Sequence, residues 1–237
     1  MHKKITLTIL LLMFSWLSKL FSQSTPPPKS LWEQELEKRD PAKPVNFGYK
    51  CVWIAVKTED TDSLLNALEV THVQKANWVE GMLRNFSTGI FVLPPIDGWI
   101  LALGSDLPVP QAPVLEQARI FLDRLSARFG EAQLFGNHRG TGSAFWMKSV
   151  QGKTERLYSI GDGVTIIEGK PTAIEQQWAL LDTNSEDAAD EAYWDRSVYP
   201  DVEHVLEVAQ AWSINPMQLE THENVGAFGY LGHLKWR

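Results

Sequence analysis

The sequence predicts an α+β fold, with an antiparallel sheet made of a hairpin and a meander packed against several helices. Three observations predict it. Residues 89–93 and 99–103 are apolar runs flanking Pro94-Pro95-Ile96-Asp97-Gly98, and a Pro and Asp-Gly turn between two such runs specifies a β-hairpin. Residues 143–149, 155–160 and 164–168 alternate in the manner of strands and are separated by Gln151-Gly152 and Gly161-Asp162-Gly163, which reads as a meander. Leu115, Ala118, Leu122, Leu125 and Phe129 recur at helical spacing before Gly130, a helix with its stop signal.

Taken in order, the chain opens on His2-Lys3-Lys4, then an apolar run over residues 5–17, then a polar stretch around Ser22. This is the layout of a secretory signal, expected over residues 1–22, with the mature chain beginning near Gln23. The run is shorter than the roughly 20 apolar residues of a membrane span, so a membrane is expected to be met only through this segment, if it is left uncut. Residues 23–46 read as a Pro-rich linker with a short charged helix over 31–39, broken at Asp40-Pro41. A single globular domain is expected over residues 47–220, with a C-terminal tail over 221–237 in which Gly226, Gly229 and Gly232 suggest poor order.

Inside the domain, residues 51–56 read as a buried strand and Cys51 as a small buried hydrophobe. Leu64, Leu65 and Leu68 mark a helix, and a second is expected over residues 75–84. The hairpin strands are apolar on both faces and are expected at the centre of the sheet, with Trp99 and Trp146 both buried. Residues 133–135 suggest a further strand. Thr172 and Glu175 have capping-box spacing, which predicts a helix running through Trp178. The acidic residues 182–195 read as a solvated loop. Asp201 is placed to cap a helix carrying Val202, Val205, Leu206, Ala209 and Trp212, ended by Asn215-Pro216.

Composition bounds function. The net charge is −7 over 237 residues, and about −10 once the signal with its three lysines is removed. Such a field repels polyanions, so no nucleic-acid partner is expected. One cysteine excludes an intrachain disulfide. The histidines lack the spacing of a zinc site, and no cofactor motif is present, so neither metal nor cofactor is expected.

The polar cluster that best suits chemistry is His138-Arg139, at a strand end. An imidazole serves as a general base near neutral pH, a guanidinium holds an anion, and Asp97 in the hairpin turn is a candidate to orient the imidazole. The simpler expectation is a strand-end pair with ordinary hydrogen bonds. The function expected from this balance is an exported, non-enzymatic binding or interaction domain, immunity-like in type, whose acidic surface suits a protein partner with a basic surface. The alternative is a periplasmic or secreted hydrolase using His138, Arg139 and Asp97.

Residues 91–99, residues 135–139 with the Trp-bearing strand that follows, and residues 205–216 together resemble a family of bacterial single-domain proteins without an assigned activity. The resemblance spans roughly residues 48–217. It implies a single domain and no particular chemistry.

Overall fold

The computed structural model describes residues 29–85 and 89–235; the expected signal lies outside them. The chain divides into two compact units at Lys38 and Arg39. In the first, helix α1 (Leu31–Leu36) is opened by a capping box in which Ser30 and Glu33 bond reciprocally. The second holds everything else, and it begins eight residues before the expected domain start at Phe47. The amide of Trp78 donates to Pro41 O at 3.2 Å, and Asn46 and Glu220 exchange backbone-to-side-chain bonds at 2.9 and 3.1 Å.

The elements of this unit, in order, are β1 (Val52–Val56), α2 (Thr61–Ala67), β2 (Val70–Asn77), α3 (Trp78–Arg84), β3 (Ile90–Val92), β4 (Ile100–Leu103) and α4 (Leu115–Phe129). Strands β5 (Glu131–His138), β6 (Ser143–Val150), β7 (Lys153–Gly161) and β8 (Val164–Glu168) follow as a meander. Helices α5 (Glu191–Arg196) and α6 (Val202–Trp212) precede β9 (Phe228–Leu234). Among the described residues nine strands form one sheet in the order β2-β9-β3-β4-β1-β5-β6-β7-β8. Every neighbouring pair is antiparallel. The fold is α+β, as the sequence predicts.

Alternation along the strands sends two different sets of side chains to the two faces. One face is aliphatic: Ile54, Val56, Val92, Ile100, Leu134 and Met147 pack with Leu64 and Leu68 from the α2 region and with Ala118, Leu122 and Leu125 of α4. The other face is aromatic. Pairing register sets Phe91, Leu103, Trp53, Phe135, Trp146 and Tyr158 in one row across six strands. Trp53 stacks on Phe135 at 5.3 Å and Trp146 on Tyr158 at 4.8 Å. Trp212 of α6 covers Phe135 and Trp78 of α3 covers Phe91. Helices therefore cover both faces, which is why the hairpin strands are apolar throughout.

The polar tips of most of these rings are tied down, while the buried Trp53 Nε1 has no hydrogen-bond partner among the described residues. Tyr158 donates to Leu181 O at 2.8 Å, Trp78 to Gly226 O at 2.9 Å and Trp146 to Glu175 at 2.8 Å. Glu175 also receives Arg156 at 2.6 Å and the amide and hydroxyl of Thr172 at 2.8 and 2.7 Å. Both members of this ion pair are buried. Burial pushes the Glu175 carboxyl up, but the guanidinium and the Thr172 donors outweigh it and hold the group below the ordinary carboxylate range.

Several expectations are corrected. Residues 75–77 end strand β2; the helix starts only at Trp78, where the Asn77 side chain caps it. The Thr172–Glu175 box opens one 3-10 turn, Glu175–Gln177, because Glu175 turns inward to Arg156. Residues 182–195 are not an open loop. They hold a 3-10 turn (Glu186–Ala189) and α5. Thr183 Oγ1 accepts the Thr165 amide, and Asn184 donates to Thr165 O at 2.9 Å, covering the outer edge of β8. Trp146 is fully buried, but Trp99 is only half-buried, with Lys57 Nζ 5.9 Å from its ring centroid.

The largest correction is at the C-terminus. Phe228–Leu234 is an interior strand between β2 and β3. Its glycines are there for close approach rather than mobility. A Cβ on Gly229 would lie 2.2 Å from Val92 O and one on Gly232 2.3 Å from Val70 Cγ1.

Candidate functional site

Asp97 and Gly98 form the two-residue tip of the hairpin, with φ of 47° and 83°, the left-handed pair that matches strand twist. This turn presents Asp97 to solvent beside residue 222. His222 Nδ1 lies 2.8 Å from Asp97 Oδ2. Asp97 is thus hydrogen-bonded to the imidazole of His222 and not, as expected for a candidate site, to that of His138.

His138 ends β5. Its Nδ1 accepts the Thr141 amide at 3.3 Å and lies 3.2 Å from Thr141 Oγ1. An Nδ1 that accepts an amide proton leaves Nε2 as the N–H donor of the neutral ring. Arg139 is stacked over the Tyr49 ring at 5.4 Å. The three residues singled out in the sequence therefore do not share a hydrogen-bonded set among the described residues. His138 is bonded within its own turn, to Thr141.

Two cavities are relevant. The larger, about 690 Å³, lies between residues 39–44 and 220–225 and carries Arg39, Asp40, Lys43, Glu220, His222 and Glu223. Arg39 is bound to Glu220, so one of its charges of each sign is spent inside the wall. Asp97 stands mostly in water, which screens its pairing with His222. The smaller cavity, about 290 Å³, is lined by His138, Ser143, Lys50, Cys51, Val52 and Phe145, among others. Burial pushes the Cys51 thiol up to about 12, so at neutral pH it is a wall and not a nucleophile.

A third feature is a surface. Tyr49 donates to Glu203 at 3.0 Å, and Tyr199 donates to Gly142 O at 2.6 Å. The turn 139–142 therefore lies between two tyrosines, 42% and 47% exposed, with Arg139 on the face of the first. Glu203 raises the Tyr49 phenol above its ordinary value, and burial followed by Asp162 raises that of Tyr199. Both hydroxyls stay protonated and remain donors.

Sequence reasoning missed Lys50, Tyr49, Tyr199 and His222. Tyr49 and Lys50 sit where linker composition gives way to strand. His222 follows a turn that Asn215 caps and Pro216 opens, which reads as a chain end. No spacing marks any of them. Among the described residues no group of three or more His, Cys, Asp or Glu is placed to hold a metal ion, and no helix is long and apolar enough to cross a membrane. Comparison with protein families, curated proteins and solved structures finds no match.

Proposed function

We propose that the protein is an exported, non-enzymatic binding domain that recognises a protein partner through the face around Tyr49, Arg139 and Tyr199. One observation carries the reading. Both tyrosines are nearly half exposed, yet each hydroxyl is fixed by a hydrogen bond to the domain itself. An exposed ring held in one position offers contact area at little entropic cost, and Tyr and Arg are the residues that concentrate binding energy at interfaces. The acids Asp182, Glu186, Asp187, Asp190, Glu191 and Asp195 precede Tyr199 in the chain, and they favour a partner with a basic surface. Export rests on the positive, apolar, polar succession of residues 1–22. The hydrolase alternative draws on His138 and Asp97 acting together, and Asp97 is hydrogen-bonded to His222 instead.

Binding is tested by capturing partners from the exported fraction with the wild-type protein and with a Tyr49→Ala/Tyr199→Ala double variant, followed by calorimetry on the purified pair. The expected result is one stoichiometric partner, weakened about 10-fold or more in the variant, as for residues worth at least about 1.4 kcal/mol. Equal binding by the two proteins overturns the reading. N-terminal sequencing of natively expressed protein tests export. A start near Gln23 is expected, and an intact Met1 in the cytosolic fraction refutes it.

A further inference from the structure

We propose that the smaller cavity is a binding site for a short-chain monocarboxylic acid, with the alkyl chain inside and the carboxylate at Lys50 and His138. This goes beyond the partner-binding face and does not rest on it. The cavity of about 290 Å³ opens where β1, β5 and β6 meet at one end of the sheet. Its size lies at the small end of ligand pockets, which run from about 300 Å³ upward. Its interior is apolar: Val52 and Val109 pack on the aliphatic core, Phe145 belongs to it, and Cys51 is a buried neutral thiol.

The lining includes a cation with no counter-charge: Lys50 makes no ion pair among the described residues. Its position is built in. The Lys50 amide donates to Asn137 Oδ1 at 2.9 Å while Asn137 Nδ2 donates to Gly48 O at 2.5 Å. Asn137 is buried, so this side chain pins the turn that carries Lys50 at φ 52°. His138 supplies the Nε2–H donor left by its bond from Thr141. Ser143 adds a hydroxyl, 2.9 Å from Thr141 Oγ1. The nearest acid in sequence, Asp106, is buried and engaged by the Leu234 amide at 3.1 Å and by His233. A lysine carried on a pinned backbone turn, one N–H and one hydroxyl over an apolar chamber suit a single negative charge with an apolar body. No arginine fork lines the cavity to hold a phosphate bidentately.

The test is isothermal calorimetry on the folded full chain with butanoate, hexanoate, octanoate, 1-hexanol and hexylamine. Saturable 1:1 binding of hexanoate is expected, at least about 10-fold tighter than butanoate, 1-hexanol or hexylamine. Lys50→Met is expected to weaken hexanoate about 10-fold and leave 1-hexanol unchanged. Ser105→Trp, at an exposed position on the cavity wall, is expected to abolish binding of both. Circular dichroism and urea midpoints confirm that both variants are folded, since each changes an exposed residue. No saturation with any acid overturns the proposal. So does 1-hexanol binding as tightly as hexanoate, or hexanoate binding unchanged in either variant.

Discussion

At the scale of single residues, the buried Arg156–Glu175 pair makes the sharpest prediction. Each partner satisfies the other, and Trp146 and Thr172 fill the remaining sites of the carboxylate. Removing one charge strands its partner in a dry interior, which costs about 3–5 kcal/mol. Glu175→Gln is expected to lose that much in urea unfolding. The pair also has a pH signature. The folded carboxyl titrates below its ordinary value of 4.5, so the unfolded chain binds more protons in acid. The stabilisation is complete above that ordinary value and is lost as pH falls through the lower folded value. Unfolding midpoints measured from neutral pH down to strong acid should decline below about 4.5 in the wild type. The Glu175→Gln protein should show a shallower decline. Identical slopes would remove Glu175 from the account. A second prediction compares two tryptophans. Trp146→Ala empties a buried, stacked and hydrogen-bonded site and is expected to cost about 3–5 kcal/mol, whereas half-buried Trp99→Ala should cost about 1–2 kcal/mol. Similar losses at both would contradict the burial assigned here.

At the scale of elements, the hairpin, the meander, α4 and α6 were legible because each combines a strong period with its own stop or cap. Residues 100–103 and 115–129 need no tertiary information to declare themselves. Three elements were not legible, each for a physical reason. Strand β2 reads poorly because it is an edge: residues 72–75 are exposed, and a bulge at His72, φ 54°, breaks its alternation. Helix α5 was hidden by its acidity, yet Asp190 caps it and the segment before it seals β8. Asp190→Ala should cost about 1 kcal/mol in the unfolding free energy; a change near zero would return the segment to a loop. Strand β9 was hidden by its glycines, which in isolation signal mobility and here let neighbouring strands and the Phe91 ring approach. Of the candidate site, the strand-end character of His138 could be read, but the partners of Asp97 and Lys50 lie 125 and 87 positions away, and local pattern carries no such information.

At the scale of the whole molecule, β9 joins two parts of the sheet. Among the described residues it is the sole strand partner of β2 on one side, and on the other it pairs β3. A chain ending at residue 225 is expected to lose cooperative unfolding altogether and to accumulate as aggregate, because β2 loses its ladder and β3 gains an open edge. Light scattering and circular dichroism of the truncated protein test this, and a soluble, native-like spectrum would show that the remaining strands suffice.

The position of β9 also sets an order of assembly. It is the most C-terminal strand among the described residues and an interior strand in the sheet, so its pairing with β2 joins residues far apart in the chain, and such contacts form slowly. Until Phe228–Leu234 is free to pair, β2 has no ladder and β3 keeps an open edge, so the sheet cannot close.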